Sequence, residues 1–193
     1  MARTVQAPLD EATVKSLRAG DRVVMTGKIY AARDAAHKRL VAAMQRGEAL
    51  PLPLPLSGQV IYYVGPAPAK PGSVIGPAGP TTSGRMDPYT LPLLERGIAG
   101  LIGKGSRSEE VKEALVRHRA VYFGAVGGAS ALLARQIRSS RILAYPDLLS
   151  EAVRELEVEE FPLIVINDCH GGDAYLAARE AYRSDGGGSQ RSR

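Results

Sequence analysis

The sequence predicts an α/β domain with a mixed sheet and flanking helices. Two observations carry that expectation. Short runs rich in β-branched and aromatic residues, such as Val60-Ile61-Tyr62-Tyr63-Val64 and Leu163-Ile164-Val165-Ile166, read as strands. Several of these runs give way, through glycine and polar residues, to segments whose apolar residues recur at helical spacing.

In chain order, Thr4 to Leu9 reads as a short edge strand closed by Pro8. Asp10 opens a turn or two of helix reaching Leu17. Gly20-Asp21 marks a turn into a strand from Arg22 to Tyr30. Beyond Arg33-Asp34, the residues Ala35, Ala36, Leu40, Val41 and Met44 follow helical spacing, with Asp34 placed to cap. From Leu50 to Leu56 leucine alternates with proline, which removes every second donor; the segment reads as polyproline II laid on an apolar surface. Val60 to Gly65 is a strand, Pro66 to Gly72 a loop, and Ser73 to Pro77 a further short strand. A helix over 88–96 is expected to start at Asp87 as N-cap with Pro88 in the first helical position. Gly97 to Gly105 reads as a turn, a buried strand and a glycine-flanked lysine, after which Ser106 or Ser108 caps a helix from Glu109 to Arg117. Ala120 to Gly128 repeats the pattern ahead of a helix from Ala129 to Ile137. Arg141 to Tyr145, the alternating Ala152 to Glu159, and Phe161 to Asp168 complete the strands. One domain over 1–183 and a disordered tail over 184–193 are expected.

Composition narrows the function. A chain of 193 residues can bury one sizeable core. No apolar run approaches the ~20 residues of a membrane span, and the first residues carry no signal-peptide core, so a cytoplasmic protein is expected. The single cysteine, Cys169, allows no intrachain disulfide and no cysteine cage for a metal within this chain. The net charge of +5 is spread along the chain, and aromatic residues are only 5% of it, so the nucleic-acid signal is weak. A small anionic ligand accounts for the excess charge equally well.

The chemistry is expected in Gly79-Pro80-Thr81-Thr82-Ser83-Gly84-Arg85-Met86-Asp87. Three hydroxyls and a guanidinium ahead of a helix N-terminus suit a carboxylate or phosphate. An ordinary polar loop capped by Asp87 is the competing reading. Arg33, Arg85 and Lys104 each fall at a strand-to-helix junction, where α/β folds hold ligands. If those strand ends share one edge, the cations converge on a site suited to a small di-acid. Arg33 could instead form a surface salt bridge with Asp34, and His37 could serve packing alone. Gly103-Lys104-Gly105 lacks the spacing of a P-loop.

These motifs also resemble a known family. Thr26-Gly27-Lys28-Ile29-Tyr30 with Arg33-Asp34 and His37-Lys38-Arg39, the Gly-Pro-Thr-Thr block, and Gly103-Lys104-Gly105 look like the β subunit of class I iron–sulfur fumarate hydratase and of L(+)-tartrate dehydratase. The likeness spans roughly Val5 to Tyr175, and Asn167 to Asp173 is similar to an Asp-x-x-Gly-Asn element of that family, with Gly172 in place of Asn. The resemblance implies a swivelling β/β/α-type domain and a hydro-lyase interconverting fumarate and (S)-malate. It implies a [4Fe–4S] cluster held by three thiolates, its fourth iron acting as a Lewis acid. With one cysteine here, that cluster would belong to a separate α subunit, in an α2β2-type assembly. Arg33, Arg85 and Lys104 would then bind the substrate carboxylates with Thr82 beside them. Thr81 would be the candidate base, assisted by Arg85, and Asp34, His37 and Asp87 would support from behind.

Overall fold

A ten-residue strand, β2 (Arg22–Ala31), organises the fold because it pairs along both edges. One edge carries β1 (Arg3–Ala7) and, further along, β3 (Val60–Tyr62), both parallel to it. Parallel pairing continues from β3 to β4 (Gly100–Gly103) and on to β5 (Val121–Gly124). The 15-residue β7 (Val153–Asn167) then runs antiparallel between β5 and the free edge of β2, closing a five-stranded ring. Outside the ring, β6 (Ile137–Ala144) pairs antiparallel with β7. The result is a mixed seven-stranded sheet with flanking helices, as expected from the sequence. The computed structural model describes residues 2–52, 55–126 and 128–185.

Ring closure depends on β7, which the sequence pattern splits in two. The split is a bulge. Glu160 takes a positive φ of 51° and its amide donates to Thr26 Oγ1 at 3.1 Å, so one long strand bends to serve β2, β5 and β6.

The inner strands β3, β4 and β5 are buried along their whole length because both of their faces are covered. Val60, Tyr62, Ile102, Val121, Phe123, Phe161 and Val165 share one buried cluster that draws on the ring strands. The alternate residues Ile61, Tyr63, Leu101 and Tyr122 enter a second cluster. That cluster lies beneath three helices: α2 (Asp34–Gln45), α3 (Asp87–Glu95) and α4 (Glu109–Arg117). Leu52 and Leu56 of the proline-rich segment are buried in it, whereas Pro53 and Leu54 lie outside the described residues.

Among the shorter elements, α1 (Glu11–Ser16) is capped by Asp10, which accepts from the Thr13 amide at 2.6 Å. Ser108 caps α4, accepting from the Val111 amide at 3.3 Å. Helix α5 (Ser130–Arg135) is shorter than the pattern suggests, and α6 (Ala174–Asp185) has no counterpart in the sequence reading. The expected tail from 184 lies outside the described residues from 186 onward, while α6 carries the chain through Asp185. Ser73 to Pro77 forms no strand. Further on, Pro80 and Thr82 form isolated bridges to Val64 and Lys104. Among the described residues, no helix is long and apolar enough to cross a membrane.

Candidate active site

Strands β2 to β5 are mutually parallel, so their C-terminal ends share one edge of the ring. The condition for the cations to converge is therefore met by topology. Arg33 follows β2, Tyr63 to Gly65 follow β3, and Lys104 follows β4. The Gly-Pro-Thr-Thr segment threads between the last two. Thr81 N donates to Tyr63 O at 2.8 Å, Lys104 N to Thr81 O at 3.2 Å, and Ser83 N to Lys104 O at 2.9 Å. Thr81 and Thr82 are thus held beside Lys104 by main-chain bonds.

Arg33 and Arg85 meet across one carboxylate. Arg85 Nε lies 2.8 Å from Asp34 Oδ1, and Arg33 Nη2 lies 3.5 Å from Asp34 Oδ2. Arg33 is also 3.7 Å from Glu151 Oε1. These Arg33 contacts are long, and its Nε is shielded from solvent without a hydrogen bond among the described residues. That Nε faces Asp34 Oδ2 at 3.5 Å, too far for a good hydrogen bond, so the guanidinium is held by charge more than by directed bonds. Arg33 also lies across the Gly65 backbone: a β-carbon there would come within 2.7 Å of Nη1 and 2.8 Å of Cδ. Gly65 and Lys104 line one cavity of about 420 Å³ together with Gly79, Pro80, Ser130 and Ser150. Arg33 borders that cavity through Gly65, whereas Thr81, Thr82 and Arg85 are not among its walls.

Lys104 is exposed and makes no ion pair among the described residues. Thr81 is half-buried, Thr82 is exposed, and neither hydroxyl has a hydrogen-bond partner among those residues. Arg33 and Arg85 are thus offset by Asp34 and Glu151, while the Lys104 charge on the same edge has no acid paired with it among the described residues.

Two caps expected from the sequence are not made. Arg33 is the N-cap of α2, and Asp34 is its first helical residue with no capping bond. The carboxylate of distant Glu151 accepts from the Ala35 amide at 2.9 Å instead, because the two guanidiniums are stronger donors to Asp34 than a neighbouring amide. Asp87 does not cap α3 either. A 3-10 turn over Ser83–Met86 runs directly into that helix, and the Asp87 amide already donates to Gly84 O. No free N-terminus remains at Asp87, and the first turn's Ser83 amide is taken by Lys104 O. The Asp87 carboxylate accepts from Arg107 Nε at 2.7 Å and from the Ser108 amide at 2.8 Å.

His37 is buried, with Nδ1 2.8 Å from Arg33 O and its ring edge-on to Tyr63 at 5.3 Å. Burial pulls its pKa from 6.5 down to about 4, so the neutral ring donates Nδ1–H to the carbonyl. Nε2 is buried without a hydrogen-bond partner among the described residues.

Arg107 was not singled out by sequence reasoning, since one arginine between two serines reads as a surface residue ahead of a cap. Its guanidinium is fully buried. It donates to Asp87 and to Thr90 Oγ1 at 2.8 Å, and stacks 5.4 Å from the Tyr63 ring and 5.1 Å from that of Tyr122. Burial opposes its charge, but Tyr63 and Asp87 outweigh that opposition. Glu151 was likewise missed, being brought to Arg33 by tertiary structure alone.

The segment Asn167 to Asp173 lies at the other end of the ring, beside the start of β2. There Asp168 accepts from the amides of Ala19, His170 and Gly172 at 2.8 to 2.9 Å, which describes a structural knot. Cys169 is buried, its Sγ 3.7 Å from Val14 O, and burial pushes its thiol pKa up. Among the described residues, no group of three His, Cys, Asp or Glu could hold a metal. With Cys169 as its single cysteine, this chain does not supply the three thiolates that a [4Fe–4S] cluster of the kind described above needs.

Comparison with known proteins decides the family. The sequence model described as Fumarase C-terminus matches residues 2–178, nearly the whole chain. The chain belongs to the Fumarase C-terminus family. Its relatives include "Fumarate hydratase 2" of Leishmania major, 40% identical over 81% of this chain and 28% of that protein. "Fumarate hydratase class I, aerobic" of Escherichia coli K12 is 39% identical over 80% of this chain and 28% of its own length. This Fumarase C-terminus chain therefore spans just over a quarter of those proteins. "Putative L(+)-tartrate dehydratase subunit beta" of Methanocaldococcus jannaschii is 38% identical over 86% of this chain and 88% of that protein.

Proposed function

We propose that this chain is the substrate-clamping β subunit of a two-subunit hydro-lyase that reversibly hydrates fumarate to (S)-malate. The observation that carries the reading is the shared edge, where Arg33 and Arg85 flank one acid and Lys104 is bonded through its backbone to Thr81. Arg33, Arg85 and Lys104 bind the two substrate carboxylates, the guanidiniums by forked hydrogen bonds and the ammonium as a point charge. Thr82 is exposed beside them as a further hydrogen-bonding hydroxyl.

In the dehydration direction Thr81 Oγ1 receives the C3 proton, and the C3–H electron pair forms the C2–C3 double bond. The C2 hydroxyl departs as hydroxide, which the released proton converts to water; Arg85 holds the adjacent carboxylate. A free hydroxyl is a weak base, so the cationic surroundings must favour its deprotonated form and a carboxylate must accept the hydroxyl's own proton. No carboxylate of this chain touches the Thr81 hydroxyl among the described residues, so that acceptor is assigned to the partner. Behind these groups, Asp34 orients both guanidiniums, His37 holds the Arg33 carbonyl, and Asp87 fixes Arg107. The [4Fe–4S] cluster is assigned to a partner α subunit in an α2β2-type cytoplasmic enzyme.

Tartrate is the alternative substrate. The relative whose length this chain matches over 88% is itself named a tartrate dehydratase subunit beta, which supports the subunit reading. A stand-alone anion-binding module is less favoured, because such a module has no use for Thr81 beside the cations. The deciding experiment is anaerobic co-production with the partner, iron–sulfur spectroscopy, and assays with malate, fumarate and L(+)-tartrate in competition. The complex should carry the cluster and turn over one of these acids. A chain active alone and without iron would overturn the proposal, as would tight malate binding with no turnover in the complex.

A further inference from the structure

Two buried hydroxyls outside the residues so far given a chemical role join the threonine motif to the lysine loop. Tyr122 Oη lies 2.8 Å from Gly105 O and 2.9 Å from Ser83 Oγ, and both side chains are fully buried. A phenol has one proton, so it donates to the carbonyl and Ser83 donates to it. Ser83 follows Thr81-Thr82, and Gly105 follows Lys104, so one phenol grips both segments at the place where their main chains pair. The fit is tight. A β-carbon on Gly103 would overlap Ser83 Oγ and sit 3.0 Å from the Tyr63 ring, so only glycine admits the serine hydroxyl there. The Arg107 guanidinium lies over the Tyr122 ring, 5.1 Å from its centroid.

We infer that Tyr122 and Ser83 are positioning residues that lock Thr81 and Thr82 in register with Lys104. The inference rests on the reading of the site given above and assigns neither hydroxyl a contact with substrate. Its physical basis is that, among the described residues, the segment from Pro80 to Thr82 pairs through isolated bridges and their few main-chain bonds, not through a continuous ladder. Such a short pairing is weakly specified by itself, and a shift of one residue would turn Thr81 away from Lys104. A displacement of ~1 Å at reacting groups can cost ~100-fold in rate.

Tyr122→Phe keeps the ring and its packing on Arg107 but removes the lock; Ser83→Ala removes it from the other side. In the full chain, hydrogen exchange at the Ser83 and Lys104 amides should quicken by about tenfold in either variant, while amides of α4 and β7 exchange as before. In the enzyme assembled with its partner, each variant should lower kcat/KM by about tenfold or more. The double variant should be no worse than the more damaging single one, because both break one device. Unchanged exchange at the two amides would overturn the lock, as would an acceleration spread evenly over the chain. Faster local exchange with unaltered kcat/KM would overturn the positioning role. A wild-type assembly inactive on every dicarboxylate would sink the functional reading instead, and exchange would still decide the lock. If Tyr122→Phe does not fold, Ser83→Ala carries both readouts.

Discussion

Replacing Arg107 with methionine should be among the most damaging single changes in this domain, and the structure sets its size. The guanidinium has no exposed side-chain surface, pairs with Asp87 at 2.7 Å, donates to Thr90 Oγ1 at 2.8 Å, and lies against two tyrosine rings. Methionine fills much of the same volume but leaves Asp87 without its cation and Thr90 with one bond fewer. Breaking a buried ion pair costs about 3–5 kcal/mol. The lower end applies, because the Asp87 side chain is 15% exposed and keeps the Ser108 amide. The expectation is about 3 kcal/mol, or a fall in Tm of about 6–12 °C for a domain of this size. With no tryptophan in the chain, urea unfolding is best followed by far-UV circular dichroism. Arg107→Met with Asp87→Asn should be less damaging than the sum of the two single changes, since the second removes the stranded charge. A loss below about 1 kcal/mol for Arg107→Met, or strict additivity, would refute the claim that this pair anchors the starts of α3 and α4.

Three further outcomes are expected. The pKa of His37 is held near 4 in the fold against 6.5 for the free group. Its contribution is therefore complete above about pH 6.5 and is lost as pH falls toward about 4, up to about 3 kcal/mol. His37→Phe should flatten the acid limb of the stability–pH curve, and an identical limb in both proteins would count against it. Asp34→Asn should free Arg33 and Arg85, so that calorimetry of the chain with inorganic sulfate shows affinity raised by about fivefold, equivalent to about 1 kcal/mol; no gain would mean that Asp34 does not compete with an anion. Gly103→Ala should destabilise by about 1–3 kcal/mol through overlap with Ser83 Oγ, and Ser83→Gly in the same chain should restore part of that loss in urea unfolding.

Local chemistry was legible wherever a feature is settled within a few residues. Asp10 and Ser108 cap because the nearest competing donors are backbone amides, and α4 has the limits its pattern gives. The parallel strand ends that gather Arg33 and Lys104 follow from the strand–glycine–helix order. What failed was decided at a distance. Asp34 and Asp87 look like caps in sequence, but arginines 51 and 20 residues away claim their carboxylates. The closure of the ring by β7 and the arrival of Glu151 at the amide of Ala35 likewise have no local signature. The Tyr122–Ser83 contact was hidden because a tyrosine in a buried strand reads as core until its hydroxyl is placed. Helix α6 went unread, although its apolar residues Tyr175 and Ala174 pack on the second core cluster.

The most direct measurement of the central claim is the kinetics of Thr81→Ala in the enzyme assembled with its partner. Cations that hold the dicarboxylate while Thr81 moves the proton predict a kcat reduced by about 10²–10⁴-fold with KM within about threefold of wild type. A kcat equal to that of wild type would contradict it.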